Sequence, residues 1–178
     1  MNKIIITLIM LLTSISFSQV NTMYHDGTDC NCDSIHQVYF DKYLFSETPY
    51  INGSIKGIFK IYNHENEIVS VSFEGLFVNG NLEGIAKSYF DDGSLSKEIP
   101  FVNGKENGIE KEYFDNGSLY SETPYLNGEK NGTVKVYFGD GSLRSGSLRS
   151  TAEYKNGVLD GYKHCSDGRI GNESLNCW

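Results

Sequence analysis

One short pattern recurs along the chain. Tyr39, Tyr62, Tyr89, Tyr113 and Tyr137 follow one another at intervals of 23, 27, 24 and 24 residues. Each of the last four stands five positions after a glycine, as in Gly84-IAKS-Tyr89 and Gly108-IEKE-Tyr113. Lys60, Lys87, Lys111 and Lys135 each precede their tyrosine by two residues, and Glu47, Glu98 and Glu122 each precede a proline by two. Pro49, Pro100 and Pro124 are all 3 prolines of the chain, so every proline occupies one column. A unit this short cannot hide its own apolar face and must lean on its copies, which makes the period the strongest constraint on the fold.

Each unit reads as two short strands. Asp92-Gly93, Asn116-Gly117 and Asp140-Gly141 are hairpin dipeptides, and a type I′ turn with positive φ at both central residues is the expected geometry. A looser glycine-rich loop, as in Asn127-GEKN-Gly132, then leads to the next unit. With Asn116 and Gly117 central, Lys111 falls opposite Glu122 and Phe114 opposite Leu119; the same arithmetic around Asp92-Gly93 sets Lys87 against Glu98 and Phe90 against Leu95. Such charge pairs contribute about 0.2–1 kcal/mol each and tune register rather than drive folding. The driving force is expected from Phe90, Phe114 and Phe138 on one face with Leu95, Leu119 and Leu143, joined by Phe101 and Tyr125, at about 1.5–3 kcal/mol per buried ring. Proline supplies no ladder N–H, so its column should carry a bulge or an unpaired position.

The copies vary in two places. The segment after Tyr62 is irregular, and GSLRS occurs twice in tandem, at Gly141 to Ser145 and Gly146 to Ser150, where it should swell a loop. The expected fold is all-β, an elongated twisted antiparallel sheet of tandem β-hairpin repeats of about 24 residues. With 12 Tyr, 10 Phe and 19 Gly, the composition favours strands and tight turns.

Residues 1–18 read as a signal peptide, with Lys3 as the positive end, an apolar run from Ile4 to Leu12, and small residues at Ser16 and Ser18. That run is too short to span a bilayer, so no stable membrane anchor is expected. The mature chain is expected to be exported, to the periplasm or the extracellular space. Residues 19–38 then form an N-terminal cap segment, 39–161 the repeats and 162–178 a C-terminal cap. The formal net charge of −8 argues against nucleic acid and favours a basic protein as partner.

The spacing G-x4-Y-F-D-x-G-x-L followed by E-x-P-[YF]-x-N-G resembles the bacterial variant of the MORN repeat, over about Tyr39 to Gly161. Proteins of that family are often labelled as antitoxin or immunity partners of polymorphic toxins. The resemblance implies a drawn-out twisted sheet of consecutive hairpins and a role in binding protein, here a basic toxin.

Nothing in the sequence asks for catalysis. His25, His36, His64 and His164 share no column, and paired carboxylates such as Asp91-Asp92 fall in turns, so the chain is read as no enzyme, with no cofactor and no metal site. Cys165 and Cys177 lie beyond the array and are expected to form a disulfide. Cys30 and Cys32 lie ahead of it, with their pairing left open, because a long sheet holds its two ends tens of ångströms apart. The candidate binding surface is the exposed face carrying Lys60, Lys87, Lys111 and Lys135, the acids Glu47, Glu98 and Glu122, and the rings of Tyr89, Tyr113 and Tyr120. Such a face is long and shallow, suited to a protein; a carbohydrate or cell-envelope ligand is the alternative. The sequence alone sets no oligomeric state.

Overall fold

The structure, a computed structural model, describes residues 20–21, 34–40, 43–65, 68–139 and 146–177. The stretch read from sequence as a signal peptide, His25, Cys30, Cys32 and the Asp140-Gly141 dipeptide lie outside the described residues. Every regular element is a strand: β1 (Val20–Asn21), β2 (Ser34–Phe40), β3 (Tyr43–Ile51), β4 (Ser54–Ile55), β5 (Gly57–Glu65), β6 (Ile68–Val78), β7 (Asn81–Tyr89), β8 (Leu95–Val102) and β9 (Lys105–Glu106). The chain continues through β10 (Gly108–Tyr113), β11 (Leu119–Leu126), β12 (Glu129–Lys130), β13 (Gly132–Tyr137), β14 (Leu148–Lys155), β15 (Val158–Leu159), β16 (Lys163–Cys165) and β17 (Ile170–Gly171). All pair antiparallel with near neighbours in sequence, forming one meandering sheet. The repeating hairpins are β2–β3, β5–β6, β7–β8, β10–β11 and β13–β14. The first begins at Ser34, within the stretch assigned from sequence to a cap.

Both kinds of turn are present, but their geometries are exchanged relative to the expectation. At Asp92-Gly93 and Asn116-Gly117 only the glycine has positive φ, at 84° and 78°. The Gly117 N–H donates to Phe114 O and the Phe114 N–H to Ser118 O, which makes a three-residue type I loop ending in a left-handed glycine. The I′ geometry sits where a looser loop was expected. Asn103 and Gly104 have φ of 50° and 76°, Asn127 and Gly128 54° and 89°, and the tight turns 52–53, 79–80 and 156–157 match them.

The three-residue loop moves the near register. Leu95 and Leu119 stand opposite Tyr89 and Tyr113, not opposite Phe90 and Phe114. One extra residue in the return strand, Ser96 or Tyr120, then restores the frame, so Lys87 meets Glu98 and Lys111 meets Glu122 as expected. Phe45, Ser72 and Arg149 are the same inserted residue in the other hairpins. A bulge recurring at one position adds local twist to every hairpin.

The proline column carries its own irregularity. Pro100 and Pro124 pair on one side with Ile85 and Ile109, while on the other their carbonyls accept from Asn107 and Asn131, at breaks between β9 and β10 and between β12 and β13. After each break a glycine takes a φ that side chains rarely adopt, +127° at Gly108 and +116° at Gly132, and lies against the proline ring. A Cβ at Gly108 would come within 2.8 Å of Pro100 Cγ.

The two faces differ sharply in exposure. On β10, Ile109 is 53% exposed while its neighbour Glu110 is 7% exposed. Ser46, Phe59, Ala86, Ser121 and Thr123 are buried on the same side as Glu110. Among the described residues no second layer of strands covers either face, and the recurrent bulges add local twist to the sheet. The Glu110 side is the inner face here, and the other is the outer face.

At the end of the array, β16 and β17 form a last short hairpin. Cys165 and Cys177 form the expected disulfide, with Cα atoms 5.4 Å apart. The tail is further held by the Tyr154 hydroxyl donating to Glu173 (2.7 Å) and by Arg149 donating to the Cys177 carbonyl. Gly146 and Ser147, from the second GSLRS copy, make the same two turn bonds with Phe138 that Gly117 and Ser118 make with Phe114. The loop grows while the hairpin keeps its closure.

Candidate functional site

The outer face is built from rows that cross the whole sheet. Because side chains alternate along a strand, residues two apart share a face, and register carries each row from strand to strand. The central row runs Gln37, Glu47, Lys60, Glu74, Lys87, Glu98, Lys111, Glu122, Lys135, Thr151, each directly opposite the next. The structure therefore brings Lys60, Lys87, Lys111, Lys135, Glu47, Glu98 and Glu122 into one ladder of strictly alternating charge. Glu74 completes it; it stands two residues before Leu76, which replaces the proline in that unit, and so escaped the proline-based pattern. Among the described residues only Lys135 and Glu122 in this ladder close to an ion pair, at 3.4 Å.

Beside the ladder runs the tyrosine row. Tyr62, Tyr89, Tyr113 and Tyr137 each donate a phenol hydrogen bond to the glutamate 15 residues earlier: Glu47 (2.6 Å), Glu74 (2.7 Å), Glu98 (2.9 Å) and Glu122 (2.9 Å). Every such bond joins one hairpin to the one before it. Burial and the neighbouring carboxylate push Tyr62 and Tyr89 up to about 12 and raise Tyr113 and Tyr137. The phenols in turn hold Glu47 and Glu122 below the usual carboxylate range. Tyr120 stands apart from this row. It is the inserted residue of β11, and its ring meets Phe114 edge-on at 5.0 Å.

On the ladder's other flank lies an apolar ridge that the sequence reading did not single out. Ile35 stands opposite Pro49, Ile58 opposite Leu76, Ile85 opposite Pro100 and Ile109 opposite Pro124. The four isoleucines are 53–64% exposed, and Val78, Val102 and Leu126 extend the apolar band toward the Asn-Gly turns. The signal was present, since Ile58, Ile85 and Ile109 each follow the repeated glycine directly.

The inner face holds a second charged group. Lys97 reaches Glu112 at 2.6 Å and Glu110 at 3.7 Å, and the Ser121 hydroxyl donates to Glu112 at 2.9 Å. Burial raises Glu110 and Glu106 despite Lys97. For Glu112 burial also acts upward, but the bonds from Lys97 and Ser121 outweigh it and leave the group lowered. Among the described residues no three His, Cys, Asp or Glu side chains are grouped to hold a metal ion. The hollow beside Lys155, Asn156, Val158 and Asp160 is about 360 Å³ and open to solvent, far from an enclosing metabolite pocket.

Two adjacent stretches, residues 82–103 and 106–127, match the family model described as MORN repeat variant. These two stretches are similar to MORN repeats. The two matched stretches are the β7–β8 and β10–β11 hairpins with their Asn-Gly turns, and the other hairpins repeat the same register and Asn-Gly turns. No curated protein matches the chain. Among solved structures, the chain is similar to a mutant of S. aureus TarM in complex with Fondaparinux, alpha-GlcNAc-glycerol and UDP, at 9% identity and a TM-score of 0.42. That likeness covers 73% of this chain but only 24% of the TarM chain, and it carries no argument about ligand.

Proposed function

We propose that the chain is an exported, non-enzymatic MORN scaffold that binds protein through the outer face of its sheet. The carrying observation is the ridge of Ile35, Ile58, Ile85 and Ile109, more than half exposed and repeated in register opposite Pro49, Leu76, Pro100 and Pro124. A contiguous apolar stripe of this kind marks an interaction surface. The flanking Tyr–Glu and Lys–Glu rows give it a rigid, polar rim, the usual anatomy of a protein interface. In its finer form the reading is immunity-like: the scaffold neutralises a basic toxin outside the cytoplasm, and the net charge of −8 steers such a partner toward it. Affinity capture from the native host, with the intact chain and with an Ile85→Asp, Ile109→Asp variant as baits, tests this. Capture of a protein by the intact chain and its loss with the variant is the expected result. Recovery of glycans alone would transfer the function to the carbohydrate alternative.

A further inference from the structure

The outer face has a property that general stickiness does not supply: its ladder is its own complement. Numbered across the sheet, the charges run Glu47, Lys60, Glu74, Lys87, Glu98, Lys111, Glu122, Lys135, four of each sign, with the midpoint between Lys87 and Glu98. A two-fold axis through that midpoint, lying along the strands, lays a second copy face to face with its ladder reversed. Every Lys then lies over a Glu: Lys87 over Glu98, Glu74 over Lys111, Lys60 over Glu122, Glu47 over Lys135. The same rotation keeps each row over itself, so the ridge meets the ridge, Ile85 over Pro100 and Leu76 over Ile109. We propose that the outer face docks a second copy of this chain, as an aligned two-sheet sandwich.

This rests on the reading of the outer face as a protein-docking surface and names its occupant. Size agrees. The eight long strands from β3 to β13 that carry the charges, at ~4.8 Å spacing and each presenting ~6 residues at ~3.3 Å, make a face of about 760 Å², close to the ~800 Å² per partner of a standard interface. Sheets with a right-handed twist stack in this aligned way, about 30° apart. Charge agrees as well. A chain of net −8 repels its copies in general, yet the ladder is neutral, so the repulsion is weakest where the apolar ridge lies.

The test joins sedimentation of the full mature chain at about 50 μM, where an interface of standard size is formed, to zero-length carbodiimide crosslinking. The expected result is a dimer with Lys60–Glu122 and Lys135–Glu47 crosslinks. Within one chain the first of these pairs is about 24 Å apart, five strand spacings, so such a link forms only between copies. Ile85→Asp with Ile109→Asp should weaken self-association by about 30-fold or more and abolish both links. Val158→Asp, at an exposed site off the ridge, should leave them intact. Circular dichroism confirms that the variants stay folded, as substitution at residues already more than half exposed allows. A native monomer, or a dimer indifferent to the Ile85 and Ile109 changes, overturns the proposal. If the native chain is monomeric while the same variants lose a captured host protein, self-association alone falls. If they capture it unchanged, the outer-face reading falls too.

Discussion

The two long edges of the sheet are held by different chemistry. Along the Asn-Gly edge each turn is hydrogen-bonded to the preceding repeat through the backbone: Gly80 N–H to Ile55 O, Gly104 to Leu82, Gly128 to Glu106 and Gly157 to Lys130, all 2.8–2.9 Å. Along the other edge no such backbone ladder links the turns among the described residues. There the hairpins are tied by the phenols of Tyr62, Tyr89, Tyr113 and Tyr137 on the previous repeat's glutamate. The variation in length falls on this second edge. The β5–β6 hairpin runs on to Glu65 opposite Ile68, and the tandem GSLRS enlarges the loop before Gly146. An edge stitched by side chains lets each turn change length, whereas an edge stitched by turn amides fixes every turn.

The largest expected effect is on the fixed edge. Gly108→Val must strain a φ of +127° and push its Cβ into the Pro100 ring, and should cost about 3 kcal/mol in chemical denaturation. Gly93→Val on the other edge meets open space and should cost about 1–2 kcal/mol, from the positive φ alone. Equal losses would erase the distinction between the edges. Next, inserting GSLRS between Asn103 and Gly104 breaks the I′ pair and its bond to Leu82, an expected loss of about 2 kcal/mol.

Tyr89→Phe comes third. It removes the bond to Glu74 and should cost about 1 kcal/mol near neutral pH. The pH dependence sharpens the point. Phenols raised in the folded state hold their full stabilisation below their free value near 10 and lose it as pH climbs to about 12. Glu47 and Glu122, lowered by their phenols, hold theirs above the free carboxylate value and lose it as pH falls below it. Amide exchange on either side of neutrality should therefore rise first at the tyrosine edge and last at the Asn-Gly edge; a uniform rise would contradict the assignment. Smallest of all, GSLRS inserted between Asp92 and Gly93 should cost less than about 1 kcal/mol, as the natural duplication before Gly146 already shows the turn closing around extra residues.

Much of this was legible in the residues. Tyrosine, glycine and proline columns gave the hairpins, and opposite charges at fixed spacing gave Lys87 against Glu98 and Lys111 against Glu122. Their agreement conceals two compensating departures. The Asp-Gly and Asn-Gly dipeptides alone do not distinguish a two-residue I′ turn from a three-residue loop with one left-handed glycine, and the extra residue that cancels the difference, Ser96 or Tyr120, has no compositional mark. The outer ridge was missed because exposed isoleucine in a strand reads as core until the burial of its strand neighbours, such as Ala86 and Glu110, shows which face is open. Glu110 and Lys97 were missed for the converse reason, since a buried carboxylate facing a lysine on a neighbouring strand needs the inter-hairpin register to be seen.

The disulfide-closed tail has a consequence for growth. A meander whose every unit accepts another is an open polymer in principle, and its final strand would template hairpins from neighbouring molecules into filaments. Here β17 is two residues long, and the segment beyond it is turned back and clipped at Cys165. That side of the sheet thereby offers a neighbouring molecule only a short edge to extend.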